Sequence, residues 1–207
     1  MNDDAGLGII TAILIVSSLL VGAAAATVIM NGSETFSEED LEEMANEAVD
    51  EISTYIQIKD KIGRYDAVNE EQIIQKIAIL IKPLFSVDID VSTLTIKLCN
   101  GQQIRILYYN GQSEFINSYS LFGHQVWDEM ANSSFGFIVI NDKDESLIDY
   151  DVINDNTDLA YIVIKLPEEF TMKKGDTMTI TLFPSTGITR TLDLEAPLPI
   201  KQVVSLS

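Results

Sequence analysis

The side chains best suited to chemistry lie in the stretch Asp142-Lys143-Asp144-Glu145-Ser146, with Asp149 and Asp151 close behind. Asp142, Asp144 and Ser146 occupy alternate positions. Hard cations such as Ca²⁺ take about six to eight oxygen ligands, and D-x-D-x-S spacing turns several oxygens inward in a loop. The Gly and the terminal Glu that an EF-hand needs at fixed offsets are missing, so this is not an EF-hand. Two readings stay open on the residues alone. One is a solvated acidic turn between strands. The other is a structural divalent cation, Ca²⁺ or Mg²⁺, held by Asp142, Asp144, Ser146 and Asp149.

The remaining reactive groups are sparse. His124 is the only histidine and Cys99 the only cysteine. A zinc site needs several such ligands, and a nucleophilic triad needs a base with an orienting partner, for which no motif is present. One cysteine excludes an internal disulfide, and a small buried hydrophobe is the simplest role for Cys99. No Gly-rich phosphate loop exists: Gly101 and Gly111 read as turn glycines. The chain is therefore expected to be no enzyme and to need no catalytic cofactor. Asn31-Gly32-Ser33 and Asn132-Ser133-Ser134 fit the N-glycosylation acceptor pattern, which makes Asn132 and Asn31 candidate modification sites. The first of these lies in an irregular, surface-type segment and the second at the end of an apolar helix.

The net charge of −19 comes from 32 acidic side chains against 13 basic ones. Such a chain is repelled by phosphate backbones, so nucleic acid is excluded as a partner class. The charge is unevenly placed. No Lys or Arg precedes Lys59, whereas nine carboxylates lie between Glu34 and Glu51.

The element that dominates the organisation is Gly6 to Met30, GLGIITAILIVSSLLVGAAAATVIM, which carries no charge. At ~1.5 Å per residue, a helix of this length reaches roughly 37 Å, enough to cross a hydrocarbon core of about 30 Å. Gly6, Gly8, Ala12, Gly22 and Ala24 are small and let helix backbones approach closely, while Leu14 and Leu19 supply packing bulk. The segment therefore suits a bilayer and suits packing against copies of itself. A secretory signal needs a basic region ahead of its apolar stretch, and Asp3 and Asp4 stand there instead. This start reads as a mature end from which a basic leader has been removed.

After Asn31-Gly32-Ser33, Ser37 offers an N-cap ahead of Glu38, Glu39 and Asp40. Leu41, Met44, Ala45, Ala48, Ile52, Tyr55 and Ile56 then recur at three- and four-residue spacing. This predicts an amphipathic helix from about Ser37 to Ile62, stopped by Gly63.

Beyond Gln72 the period becomes two. Strands are predicted along Lys76–Lys82, stopped by Pro83, and around Val87–Val91. Thr93–Cys99 and Gln103–Tyr109 form a hairpin through a two-residue-type turn at Asn100-Gly101. Asn110-Gly111 marks a further turn. Phe115–Ser134 is irregular. Phe135–Ile140, Leu159–Leu166, Thr177–Phe183 and Thr189–Leu194 are four more strands. Short strands in this number with no helices between them indicate an antiparallel sandwich or barrel. The expectation is an α+β chain in two parts: an N-terminal helix over 1–62 and an antiparallel, immunoglobulin-like β-sandwich over 63–207.

Particular residues narrow this plan. AGLGIITAILIVSSLLVGAAAATVI resembles the start of archaellins, the archaeal flagellins. The segments IGRYD (62–66), KIAILIKP (76–83), IDVS (89–92), FGFIVINDKDES (135–146), DLAYIVIKL (158–166) and the C-terminal APLPIKQVVSL follow in the archaellin order. The resemblance covers nearly the whole chain, and the Glu-rich stretch 34–51 is its main departure.

The resemblance implies a subunit of the archaellum, the rotating motility filament of archaea. Such a subunit is inserted in the membrane, cleaved by a prepilin-type peptidase and passed by archaellum assembly machinery into an extracellular helical filament. The N-terminal helices of other copies, or of a second archaellin, form the filament core, and the β-rich domains form the outer wall. It also implies a structural metal in the head. An adhesive pilus subunit of the same architecture is the alternative, and an anchored ectodomain enzyme lacks site residues.

Overall fold

The computed structural model describes residues 55–68, 70–117, 120–131, 133–185 and 188–207. The predicted helix over Gly6–Met30 and most of the amphipathic one lie outside the described residues. The described chain belongs to a compact unit that runs from Ser53 to Ser207.

Its elements are β1 (Ile56–Val68), β2 (Glu71–Pro83), β3 (Ile89–Asp90), β4 (Thr95–Cys99), β5 (Ile104–Phe115), a one-turn helix α1 (Val126–Glu129), β6 (Ser134–Asn141), a second one-turn helix α2 (Ser146–Asp149), β7 (Val152–Ile153), β8 (Leu159–Lys165), β9 (Thr177–Phe183), β10 (Arg190–Glu195) and β11 (Val203–Ser205). Nine strands hydrogen-bond in the order β10-β9-β4-β5-β6-β8-β2-β1-β11, and β3 pairs separately with β7.

Of the two layouts expected, sandwich or barrel, the described strands come nearer the second, and the all-antiparallel expectation is corrected. Hydrogen bonding runs through one continuous sheet, and β5 and β6 are parallel, joined by a crossover over residues 116–133. The sheet curls until its edges meet. Glu195 N donates to Ser207 O at 2.9 Å, Lys61 Nζ donates to the carbonyl of Asp193, and the Arg190 guanidinium lies over the Tyr55 ring.

Alternation explains the two faces. Side chains two apart in a strand share a face, so Ile77, Ile79 and Ile81 of β2 join Ile96, Leu98, Phe135, Phe137, Ile162, Ile164 and Ile180 on the concave side. Each fully buried aliphatic side chain stabilises the fold by roughly 1.5–3 kcal/mol. On the convex side of β2, β6 and β8, Ala78, Ile138 and Val163 are covered by Phe122, Val126, Trp127 and Met130 of the crossover. The segment read as irregular is thus a lid over half of the outer face, with Trp127 stacked on Phe122 and Lys76 over its ring.

Three local expectations are also corrected. The last turns of the predicted helix, up to Ile62, are strand β1, which pairs along its length with β2. A register shift between Ile58 and Asp60 moves the buried positions from Ile56 to Gly63 and Tyr65, and the broken alternation imitates helical spacing. Gly63 is no helix stop: a Cβ there would sit 3.0 Å from Ile74 Cγ2, so glycine lets β1 lie under Ile74. The β4–β5 hairpin keeps a two-residue turn but places it one residue later than expected, at Gly101-Gln102 between the paired Asn100 and Gln103. Asn100 Oδ1 accepts from the amides of Gln102 and Gln103, and Asn100 N donates to Gln103 O. Asn110-Gly111 lies inside β5, where the pairing with β6 shifts register between Tyr109 and Ser113.

The predicted strands at β2, β6, β8, β9 and β10 are observed within a residue or so of their expected ends at most boundaries, although β2 starts earlier, at Glu71. The stretch around Val87–Val91 holds only the two-residue β3 before a 3₁₀ turn.

Candidate functional site

The acidic stretch occupies the connection between β6 and β8. These strands are antiparallel neighbours with Asn141 paired to Leu159, so Asp142, just after β6, and Asp158, just before β8, sit at adjoining strand ends. Asp142 Oδ2 accepts from Leu147 N at 2.9 Å, which fixes the start of α2 against the strand end. Asp144 Oδ2 accepts from Asn154 Nδ2 at 2.8 Å and joins the two loop arms. Asp158 Oδ2 accepts from the amides of Asn154 and Asp155. Glu145 takes a left-handed φ of 57° at the corner into α2.

Three oxygens are left over. Asp142 Oδ1, Asn154 Oδ1 and Asp158 Oδ1 are each buried without a hydrogen-bond partner. Asp142 is 6% exposed and Asp158 3% exposed. A buried carboxylate oxygen with nothing to replace its water carries a large desolvation penalty. The electrostatics agree. Burial pushes both Asp142 and Asp158 above the usual carboxylate range, and Asp144 adds like-charge repulsion on each of them. Asp144 itself is pulled down to about 2, first by the hydrogen bond from Asn154 and then by its contact with Asp142. A cavity of about 230 Å³ opens beside these groups, lined by Lys143, Asp144, Asn154, Asp155, Thr157 and Asp158.

Of the four predicted ligands, Asp142 and Asp144 are brought together and the other two are not. Ser146 spends its hydroxyl on Val152 O at 2.9 Å, and Asp149 is exposed on α2. Asn154 and Asp158, on the facing loop arm, are the residues that carry buried unpartnered oxygens beside Asp142 and Asp144. They belong to Asn154-Asp155-Asn156-Thr157-Asp158, a second run of oxygen-bearing side chains just ahead of a strand. That pattern mirrors Asp142–Ser146, and the antiparallel pairing of β6 with β8 is what juxtaposes the two. Among the described residues no three acidic, histidine or cysteine side chains are grouped closely enough to hold a metal ion by themselves. The buried oxygens without a partner belong to two acids and an amide, and Asp144 is hydrogen-bonded to that amide. All of these donors are oxygens, the atoms that hard divalent cations take.

His124 is structural. It is buried, its Nδ1 accepts from Val126 N, and its Nε2 donates to Phe115 O, which pins the crossover to the end of β5. Cys99 is free and half-buried on the convex side of β4. Asn31 and Asn132, and all of Gly6, Gly8, Ala12, Leu14, Leu19, Gly22 and Ala24, lie outside the described residues. Beside Asn132, Ser134 opens β6 with its hydroxyl donated to Ala131 O, and Ser133 takes a φ of 70°. Among the described residues no helix is long and apolar enough to cross a membrane.

The profile of the archaeal-type flagellin family matches residues 5–194. Flagellin B3 of Methanocaldococcus jannaschii is 32% identical over 145 residues, which cover 68% of this chain and 65% of that protein. The crystal structure of archaeal flagellin FlaB1 from the same organism superposes with a TM-score of 0.62 at 22% identity, over 73% of this chain and 95% of that one. The archaeal flagellum of Methanospirillum hungatei strain JF1 superposes with a TM-score of 0.52 at 10% identity, over 95% and 97%. The fold is shared with these structures, and with a profile match from the apolar N-terminal segment through β10, the chain belongs to the archaeal-type flagellin family.

Proposed function

We propose that this chain is a structural subunit of the archaellum, the extracellular motility filament of archaea, and that it is not an enzyme. The observation that carries the reading is the family match across residues 5–194, which takes in both Gly6–Met30 and the β-rich head. The physical logic agrees with it. An uncharged segment rich in Gly and Ala can reside in lipid as a single helix and then leave it to pack against identical helices. The head, still net negative although it holds every Lys and Arg of the chain, faces water as a wall. The partners are further copies or a second archaellin, with the membrane, a prepilin-type peptidase and the assembly machinery before assembly. Deletion of the gene in its host should abolish swimming and remove the filaments seen by electron microscopy. Swimming that persists without this chain overturns the reading.

The head is proposed to hold one structural divalent cation, Ca²⁺ or Mg²⁺. Asp142, Asn154 and Asp158 would supply their unpartnered oxygens to it, with Asp144 at the rim. A bound cation supplies the positive charge that two buried carboxylates lack, and it ties the β6–α2 corner to the turn before β8. N-glycosylation is proposed at Asn132, and at Asn31 in second place. An intact mass equal to the bare polypeptide would remove both.

A further inference from the structure

Among the described residues the crossover lid covers the convex face over β2, β6 and β8 and leaves the outward side chains at the start of β5 exposed. Leu107 and Tyr109 point into the core, so Ile104, Ile106 and Tyr108 alternate outward from β5. Ile104 is 65% and Tyr108 61% exposed, which is unusual for large apolar groups standing in a row on a sheet. Beside them on β4 stand Thr95, Lys97 and Cys99, paired with Tyr108, Ile106 and Ile104. No carboxylate belongs to this set, in an acidic chain.

A second apolar surface lies in the connection from β10 to β11. Ile200 is 82% exposed, and Leu198 is exposed beside it. This connection is held rigidly on β1: Tyr65 Oη donates to Pro197 O at 2.6 Å and Tyr65 N donates to Gln202 O at 2.7 Å. From Pro197 to Val203 it contains Lys201 and no carboxylate.

The strand order sets the relation between the two surfaces. β5 and β1 are four strand steps apart in one direction around the curled sheet and five in the other across the seam, so they occupy opposite sides. Asn100 and Arg105 meet Glu169, and Lys173 of the following segment meets Glu71 at the β1–β2 turn. Both surfaces therefore sit toward the same end of the head.

We propose that Ile104, Ile106 and Tyr108 of one copy dock on Leu198 and Ile200 of a neighbouring copy, as a lateral contact in the filament wall. This rests on the filament reading above. Open helical assembly requires heterologous contacts, in which two different surfaces of the same chain meet. Two apolar surfaces on opposite sides at one level provide such a pair. Net-negative copies also approach at least electrostatic cost where neither presents a carboxylate.

The test uses filaments sheared from cells that carry full-length variants in a Cys99→Ser background. With Ile106→Cys and Ile200→Cys in one chain, a short bismaleimide should give a ladder of dimers, trimers and longer species. Each single variant should stay monomeric. Dimers from Ile106→Cys alone, or only an internal cross-link in well-formed double-variant filaments, overturn the proposal. Independently, Ile106→Asp should lower filament yield by about tenfold or more, with Trp127 fluorescence reporting an intact head. Normal yield from Ile106→Asp overturns it as well. If the unmodified chain forms no filaments, the filament reading itself falls and this contact with it.

Discussion

Asp142 and Asp158 lie at the adjoining ends of β6 and β8, each with one carboxylate oxygen accepting from backbone N–H and the other buried with no partner. Two like charges placed this way destabilise the fold unless a proton or a cation joins them. The same burial pushes both groups above the usual carboxylate range, so their contribution to stability depends on pH.

The first prediction follows from the sign of those shifts. A carboxyl whose folded pKa is raised binds its proton more tightly in the native state. Its favourable contribution is complete below the ordinary value of 3.8 and is lost as pH rises through the elevated native value. Protein stripped with chelator should therefore melt at higher temperature at mildly acidic pH than at pH 7, until general acid destabilisation sets in. Adding Ca²⁺ at pH 7 should raise the melting temperature by several degrees, since ~1 kcal/mol shifts a chain of this size by about 2–4 °C. A melting temperature indifferent to chelator, Ca²⁺ and pH over this range would leave the site a solvated turn.

Substitution at the site gives the second prediction. Asp158→Asn removes one buried charge and keeps the shape, so cation-free protein at pH 7 should be at least as stable as the parent, while the response to Ca²⁺ should disappear. Ser146→Ala should cost about 1 kcal/mol through loss of the bond to Val152 O. It should leave the Ca²⁺ response intact. Calorimetry with and without Ca²⁺ separates the two variants.

Those residues illustrate what could be read from residue order and what could not. Asp142 and Asp144 announce themselves by alternate spacing. Asp158 becomes a partner only when β6 pairs with β8, a non-local event with no trace in local spacing. The central strands were legible because Ile77, Ile79 and Ile81 repeat with period two. β1 was not, because its register shift near Lys59 breaks that period and places Gly63 where a helix stop is expected. The lid was invisible for a similar reason: Phe122, Val126 and Trp127 show no regular period, and their burial depends on the convex face that β2, β6 and β8 build together. The half of that face over β5 carries the same alternation whether or not anything covers it.

The third prediction concerns the joint between β5 and β6. A Cβ on Gly136 would lie 2.9 Å from Gln112 O, a backbone atom of the β5 irregularity, and 3.3 Å from Val126 Cγ1 of the lid. Gly136→Ala must therefore push the β5 backbone or the lid outward, at a cost of about 1–3 kcal/mol. Urea unfolding followed by Trp127 fluorescence should show a lower midpoint and a changed native emission. Gly101→Ala, where a Cβ meets nothing, should alter stability only through its φ of 83° and leave the Trp127 signal unchanged.

The fourth prediction addresses the N-terminal segment through its residue types. Gly22 and Ala24 are small within a stretch that is otherwise able to cross a bilayer with larger side chains. A membrane anchor gains hydrophobicity when either becomes Leu, because apolar side chains favour lipid. A packed bundle of identical helices loses its close backbone approach. Gly22→Leu and Ala24→Leu should therefore leave the chain in the membrane fraction and sharply reduce the filaments recovered by shearing. If these variants build normal filaments, the small residues serve no packing role and Gly6–Met30 acts only as an anchor. If they lose membrane association as well, the defect precedes assembly and the packing argument fails on different ground.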